Sequence, residues 1–199
     1  MAKILVTGSN GFIGKHLCKA LATDHEVVPY DIGKTFVKGP FDGIIHLAAI
    51  SRVSEAEKDP VACLQANLIL TATLLASEPK WFIFASTFEK PTNVYGFSKR
   101  AAEDYIKLRA SKYIIYRLSN VYGPGMAQDK LLPRLARGDV GKIDDGVLPF
   151  EHIPVSVVCE MIRLSIQKFE DSSFNSFTMK LATGIARSPE ELLSVATSY

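Results

Sequence analysis

Tyr95 and Lys99 lie four residues apart in the segment "NVYGFSKRAAEDYIK" at residues 93–107, which reads as the start of a helix. Residues four apart share a helix face, so the Lys99 ammonium can approach the Tyr95 phenol. A free phenol has a pKa near ~10, and a nearby cation favours the phenolate. The pair could therefore exchange a proton with a bound molecule. The same spacing also arises from a tyrosine packed at a helix start beside a solvated lysine.

Three glycines, Gly8, Gly11 and Gly14, occur in the stretch "VTGSNGFIG" between the first predicted strand and the first predicted helix. One permits a tight turn, one lets backbone approach a pyrophosphate, and one lets helix and strand pack closely. The helix N-terminus adds free N–H groups and a partial positive charge. Glycines are common in such turns, but an acidic residue ending the second predicted strand favours a dinucleotide site.

That acidic residue is Asp31, 17 residues after Gly14. A carboxylate at this place accepts hydrogen bonds from the adenosine ribose hydroxyls and repels a 2′-phosphate. The sequence therefore favours NAD over NADP. A turn aspartate before Gly33 is the alternative interpretation, and Lys34 close by weakens the preference for NAD.

Alternating apolar and amphipathic segments predict the elements that position these residues. Strands are predicted at residues 3–8, 26–31, 43–49, 81–86, 113–119 and 174–182. Helices are predicted at residues 12–22, 60–77, 95–110, 126–138, 154–169 and onward from a cap at Ser188 before Pro189. This alternation predicts an α/β fold, a doubly wound parallel sheet (Rossmann-like) with a small C-terminal substrate lobe. We expect an NAD-binding domain at residues 1–123 and the lobe at residues 124–199, part of which returns to the sheet.

Composition excludes several other classes of protein. The chain has 199 residues, a net charge of +2 and no basic run, so no nucleic-acid partner is expected. No run of about 18 apolar residues occurs, so no membrane span is expected. Cys18, Cys63 and Cys159 are widely spaced, which favours free thiols over disulfides or a metal site and favours a cytoplasmic protein.

Six motifs occur in an order that resembles one known family: "TGSNGFIG", "IIHLAA", "NLILTATLL", "FIFAST", "YGFSK" and "RLSNVYGPG". The chain resembles the extended short-chain dehydrogenase/reductases, and among them a compact member of the NAD-dependent epimerase/dehydratase group acting on nucleotide sugars. The resemblance covers nearly the whole chain, with less support after Gly125. The resemblance implies oxidoreductase chemistry whose overall result can be that of an isomerase. It also implies a small-molecule partner, a nucleotide sugar.

The resemblance also implies roles for individual residues. Thr87 would hold a substrate hydroxyl, Tyr95 would take its proton, and Lys99 would bind the nicotinamide ribose and lower the pKa of the phenol. The implied cofactor contacts come from Gly8, Gly11, Phe12, Ile13, Gly14, Asp31, Leu47, Ala48, Ala49, Asn67 and Lys99. The implied substrate contacts come from Ser86 and Asn120.

The chain also departs from the family pattern. Ten residues separate Asp31 from Asp42, too few for the strand and helix that larger relatives carry there. We expect that unit to be missing or reduced to a fragment at residues 34–39, without its usual adenine contact. An arginine that would bind a nucleotide diphosphate is absent from the later segment. Near its place stand Leu148, Pro149, Pro154 and Val155.

Three functions remain open on these grounds. The first is an NAD-dependent epimerase or dehydratase that makes a transient keto sugar. The second is an NAD(P)-dependent reductase or dehydrogenase of a smaller carbonyl substrate, and the third is an inactive cofactor-binding relative. For His46, a packed or backbone-bonded role is favoured over catalysis. By analogy, the apolar helices at residues 60–77 and 95–110 would pair across a homodimer.

Overall fold

The computed structural model describes residues 1–33, 39–139 and 150–188, together with residues 191 and 194. The strands are β1 (Lys3–Thr7), β2 (Glu26–Tyr30), β3 (Gly43–His46), β4 (Trp81–Thr87), β5 (Tyr113–Leu118), β6 (Asn120–Tyr122), β7 (Phe150–Pro154), β8 (Phe177–Leu181) and β9 (Ala186–Arg187). The helices are α1 (Phe12–Leu21), α2 (Val53–Lys58), α3 (Pro60–Leu64), α4 (Leu70–Leu75), α5 (Val94–Arg109), α6 (Leu131–Ala136) and α7 (Val155–Lys168).

Six parallel strands form the main sheet, in the order β2-β1-β3-β4-β5-β8. β2 and β3 lie on opposite sides of β1, so the strand order reverses there. In open parallel sheets, ligands bind beyond the carboxyl ends of the strands at such a reversal. The turn after β1 contains the three glycines, so they lie at this reversal.

Both faces of the sheet are covered, which confirms the doubly wound fold. Ile4 and Val6 of β1 pack in a cluster with Leu17 of α1 and Val158 of α7. Leu5 points the other way, because successive strand side chains alternate between faces. It belongs to a second cluster, with apolar residues from β3, β4 and α5.

The C-terminal part of the chain contributes to both sheets. β8 pairs in parallel with β5 in the main sheet, so a strand does return to it as predicted. A small second sheet joins β6 to β7 and β7 to β9. The domain boundary at residue 123 stays a prediction.

Several elements differ from their sequence-based bounds. The helix predicted at 60–77 consists of α3, a π-helical segment (Gln65–Ile69) and α4. Within 126–138, only α6 is helical. The chain before it forms a turn, in which Gly123 and Gly125 have positive φ angles and the Met126 N–H donates to the Gly123 carbonyl. α2 was not predicted. Ser188 and Glu191 exchange capping hydrogen bonds, as expected for a helix start, whereas Pro189 lies outside the described residues.

In the described part of the chain, β2 forms one edge of the main sheet. The proposed fragment at 34–39 lies almost wholly outside the described residues. Within the described ranges, no helix combines the length and apolar character needed to cross a bilayer, and Cys18, Cys63 and Cys159 are free.

Candidate active site

Thr87 and Tyr95 meet at the carboxyl edge of the sheet. Thr87 is the last residue of β4, and Tyr95 lies in the first turn of α5, which Asn93 caps by accepting a hydrogen bond from the Gly96 N–H. The phenol of Tyr95 lies close enough to the Thr87 side chain for that side chain to lower the pKa of the phenol. The Thr87 hydroxyl also accepts the Glu89 N–H at 3.0 Å, which fixes its position. A substrate hydroxyl placed beside both groups could therefore be held and deprotonated.

Lys99 lies one helical turn beyond Tyr95 and is almost fully buried. Within the described ranges, its ammonium makes no hydrogen bond, and it lies 3.9 Å from the centroid of the Phe84 ring. Burial lowers the pKa of Lys99 to about 7, while the charge of Glu103 acts in the opposite direction. The side chain is therefore poised between its charged and neutral forms near neutral pH.

The pKa of Tyr95 lies above its ordinary value in this structure. Burial raises it, and the contact with the Thr87 side chain lowers it by less. This direction is opposite to the lowered pKa that the sequence predicts from Lys99. The difference arises because the desolvation of the phenol outweighs the favourable contacts that the chain itself provides.

Asn67 ties the loop after β3 to the helix that carries Tyr95 and Lys99. Its amide accepts the Ile50 N–H at 2.8 Å and donates to the Ile50 carbonyl at 3.0 Å and to the Ser98 hydroxyl at 2.9 Å. Asn67 is fully buried at the centre of the π-helical segment. Such segments occur often at functional sites, because they redirect a side chain. These bonds give Asn67 a structural role beside the site.

His46 is buried and hydrogen-bonded at both ring nitrogens, to Thr7 at 2.7 Å and to Thr71 at 3.0 Å. Thr71 donates to the Asn67 carbonyl, so its oxygen is free to accept from the Nε2–H of His46. Burial, followed by the charge of Lys99, holds the pKa of His46 well below its ordinary value. The ring is therefore neutral and structural, as the sequence analysis favoured, although its partners are side chains rather than backbone.

The glycine turn leaves no room for side chains at two positions. Gly8 has φ of +70°, and a Cβ there would lie 2.7 Å from the Ala48 nitrogen. A Cβ on Gly14 would lie 2.1 Å from the Gly8 carbonyl oxygen. The turn thus packs against the end of β3, where the Ala48 N–H donates to the Thr7 hydroxyl. Gly11 precedes α1 and is exposed, which leaves the N-terminus of this helix open to an anion.

Asp31 is joined to the glycine turn. Its Oδ2 accepts the Ser9 hydroxyl at 2.6 Å and the Asn10 N–H at 2.8 Å. The carboxylate therefore holds the turn while standing at the end of β2, beside the turn that a dinucleotide would occupy. Phe12 and Ile13 open α1 next to this turn, and Leu47 and Ala49 flank the buried Ala48 after β3.

The structure does not bring Ser86 to the Thr87–Tyr95 pair. Successive residues of a strand face opposite sides of the sheet, and the buried Ser86 hydroxyl donates to Glu103 of α5. Asn120 is exposed at the start of β6, opposite His152. Substrate contacts by these two residues stay predictions.

The segment where the family carries an arginine is described in part. Leu148 and Pro149 lie outside the described residues. Pro154 ends β7, and Val155 begins α7, where a Cβ on Gly123 would lie 2.7 Å from its side chain. These two positions therefore provide apolar packing in place of a positive charge.

Sequence reasoning missed three residues that support the site: Thr7, Ser98 and Glu103. Thr7 and Ser98 bond to groups far along the chain, so no local pattern marks them. Glu103 could have been found, because it follows Lys99 by one further turn on the same face of α5.

These features correspond to one family of proteins. The model of the NAD dependent epimerase/dehydratase family matches residues 4–143, and the chain belongs to this family.

Particular relatives can be named for comparison. The chain is 28% identical to GDP-6-deoxy-D-talose 4-dehydrogenase of Aggregatibacter actinomycetemcomitans, over 97% of this chain and 78% of that protein. It is 31% identical to UDP-2-acetamido-2,6-beta-L-arabino-hexul-4-ose reductase of Pseudomonas aeruginosa, over 61% of this chain. That match spans only 36% of the reductase, and a match to GDP-6-deoxy-D-mannose reductase of the same organism spans 44% of that protein.

Solved structures share the fold. UDP-glucose 4-epimerase of Thermotoga maritima, solved with UDP-glucose, superposes with a TM-score of 0.82 at 23% identity, covering 99% of this chain and 83% of the epimerase. MoeE5 in complex with UDP-glucuronic acid and NAD gives a TM-score of 0.84 at 24% identity, covering 98% and 81%. At these identities the likeness concerns the fold.

Proposed function

We propose that the chain is an NAD-dependent epimerase or dehydratase that acts on a nucleotide sugar through a transient keto intermediate. One observation carries the proposal. The Tyr95 phenol lies beside Thr87 at the carboxyl edge of the sheet, one turn from a lysine side chain that is almost fully buried. The Lys99 ammonium makes no hydrogen bond with the described residues and lies against the Phe84 ring, so it can donate to a ribose hydroxyl.

The residues around the glycine turn fit the cofactor. Gly8 and Gly14 keep side chains out of a turn that a pyrophosphate can approach, and the N–H groups opening α1 would bind its oxygens. Asp31 would accept hydrogen bonds from the adenosine ribose, and Lys99 would donate to the nicotinamide ribose. When bound, NAD accepts a hydride from the substrate carbon and later returns it. The contact between Asp31 and the adenosine ribose is the reason to propose NAD over NADP, because the carboxylate would repel a 2′-phosphate.

The chain's own residues would handle the proton. Thr87 would hold the substrate hydroxyl next to Tyr95, and the phenolate of Tyr95 would take its proton as the carbon–hydrogen bond breaks. The Lys99 ammonium would stabilise the phenolate, since a cation favours the charged form of a neighbouring acid. The phenol would then return the proton when the carbonyl is reduced.

Incubation with NAD and a panel of UDP-, GDP- and dTDP-linked hexoses tests this function. NMR should reveal an epimer or a dehydrated keto sugar without net formation of NADH. Tyr95→Phe should abolish the change, whereas Tyr105→Phe, which alters a phenol further along α5, should not. Tight binding of NAD with no altered sugar in the whole panel would contradict the proposal.

The relatives' names support a reductase as a second candidate. The relative aligned over 97% of this chain is a 4-dehydrogenase, and two others are named as reductases of nucleotide-linked sugars. A reductase exchanges its cofactor at each turnover, so NADH or NADPH absorbance would fall in proportion to the keto sugar added. Stoichiometric loss of reduced cofactor would establish this function in place of the first.

A further inference from the structure

Glu103 is a completely buried carboxylate in the same helix as the candidate catalytic residues. It follows Lys99 by four residues and Tyr95 by eight, so the three side chains share one face of α5 over two turns. The proposed reaction gives Glu103 no part. A buried acid beside a functional lysine therefore calls for a physical explanation.

Hydrogen-bond donors from three elements surround this carboxylate. Ser86 of β4 donates to Oε1 at 2.5 Å, Arg100 of α5 donates to the same oxygen at 2.5 Å, and Arg117 of β5 donates to Oε2 at 2.6 Å. Lys107 of α5 lies 4.0 Å from Oε2. These bonds join α5 to the two strands beneath it.

The same contacts keep Glu103 ionised. Burial acts to raise the pKa of Glu103, but hydrogen bonds from Arg117 and Ser86 and the charges of Arg100 and Arg117 outweigh it, so the net direction is downward. A fixed negative charge therefore stands in the interior, one helical turn from Lys99.

We propose that Glu103 is a positioning residue: its charge favours the protonated form of Lys99 beside Tyr95, and its hydrogen bonds hold α5 against β4 and β5. The inference rests on the proposed roles of Tyr95 and Lys99.

The groups facing Lys99 support this assignment. Of the two that favour its protonated form, Glu103 acts more strongly than Cys63 of α3. His46 of β3 also faces Lys99, but it is neutral because burial holds its pKa well below the ordinary value. Burial lowers the pKa of Lys99, and without the Glu103 carboxylate only Cys63 would act to raise it. The charges of Arg100 and Arg117 would also become uncompensated.

The test is a titration of the Lys99 ammonium by NMR of isotope-labelled lysine side chains, with the Lys99→Met variant identifying its signal. Glu103→Gln should lower the apparent pKa of Lys99 by about one unit, because a neighbouring negative charge favours the ammonium. Glu103→Asp, which keeps the charge, should restore much of the normal value.

Two further variants separate charge from packing. Arg117→Gln removes a cation and a hydrogen bond but leaves the carboxylate, so the apparent pKa of Lys99 should rise or stay unchanged. Asp104→Asn removes an acid from the same helix, but its side chain is 77% exposed, so no shift is expected. An equal downward shift in Glu103→Gln and Arg117→Gln would show a packing effect and overturn the proposal, as would no shift in Glu103→Gln.

This titration needs no substrate, so it separates the inference from the proposed function. If no sugar is ever turned over but the titration shifts as described, the role of Glu103 stands. If Glu103→Gln does not fold, Glu103→Asp and Arg117→Gln decide. A lowered pKa of Lys99 in both of these charge-retaining variants would overturn the proposal. A near-normal value in Glu103→Asp, together with a value in Arg117→Gln that is not lowered, would support it.

Discussion

The Lys99 ammonium lies 3.9 Å from the centroid of the Phe84 ring, inside the protein rather than in solvent. A cation over a ring face gains some electrostatic stabilisation, but less than it loses with its hydration shell. Burial accordingly brings the pKa of Lys99 down to about 7. The charge that Tyr95 needs beside it is therefore sensitive to pH near neutrality.

Replacing Lys99 with methionine should stabilise the fold. The folded pKa of about 7 lies below the ordinary 10.5, so burial of Lys99 destabilises the protein fully below pH 7 and less as the pH rises toward 10.5. Lys99→Met should therefore raise the free energy of unfolding at pH 7 by about 1–4 kcal/mol. Urea unfolding at pH 7, 8 and 9 measures the gain, which should shrink with rising pH.

The control is Lys107→Met on the same helix, where the side chain is 38% exposed and the gain should be within about 0.5 kcal/mol of zero. A loss of stability in Lys99→Met, or a gain independent of pH, would contradict the assignment of a desolvated lysine.

Asp31→Ala should weaken NAD binding about tenfold and narrow the preference for NAD over NADP, because a charged acceptor for the ribose is lost. Ser9→Ala is the matched control, since it removes one hydrogen bond between the turn and Asp31 but keeps the carboxylate. Fluorescence titration with both cofactors gives the two dissociation constants. The ratio of the constants should change in Asp31→Ala and stay constant in Ser9→Ala; an unchanged ratio in both would reject the ribose contact.

Asn67→Ala should destabilise the protein by about 1–3 kcal/mol, because the half-buried Ile50 N–H loses its acceptor and the Ile50 carbonyl loses a donor. Asn67→Asp keeps an acceptor for the Ile50 N–H but loses both N–H donors of the amide. It therefore separates the bond to the Ile50 N–H from the bond to the Ile50 carbonyl. Urea unfolding gives the free energies. No destabilisation in either variant would mean that the loop after β3 is held by other contacts.

A homodimer is expected by analogy with related enzymes. Large apolar side chains are exposed on both helices proposed to form the interface: Val61, Ile69, Phe97 and Leu108. Burial of such a patch would favour association. Sedimentation equilibrium should give a mass of two chains, and Phe97→Glu should give a mass of one. A one-chain mass for the unaltered protein at micromolar concentration would remove the dimer.

The parts of the site that the sequence predicted are those set by local patterns. The turn containing Gly8 and Gly14 and the spacing of Tyr95 and Lys99 depend on a few neighbouring residues. Ser86 shows the limit of motif matching. Adjacent residues of a strand face opposite sides of the sheet, so its place next to Thr87 already put it on the opposite face of β4.

Other features depend on partners far along the chain. The bonds of Glu103 to Arg117 and of Asn67 to Ile50 form only once the sheet and helices have packed. The raised pKa of Tyr95 likewise follows from its burial. No window of sequence specifies these contacts, because they are set by packing rather than by local preference.

Tyr95→Phe shows whether Tyr95 is the base, because it removes one hydroxyl from a half-buried ring and leaves Lys99, Thr87 and the glycine turn unchanged. NAD affinity and turnover are measured in parallel, on any sugar that the unaltered protein converts. We expect NAD binding within about twofold of normal and a loss of turnover of at least about 100-fold. A variant that turns over at the normal rate would contradict the assignment of Tyr95 as the base.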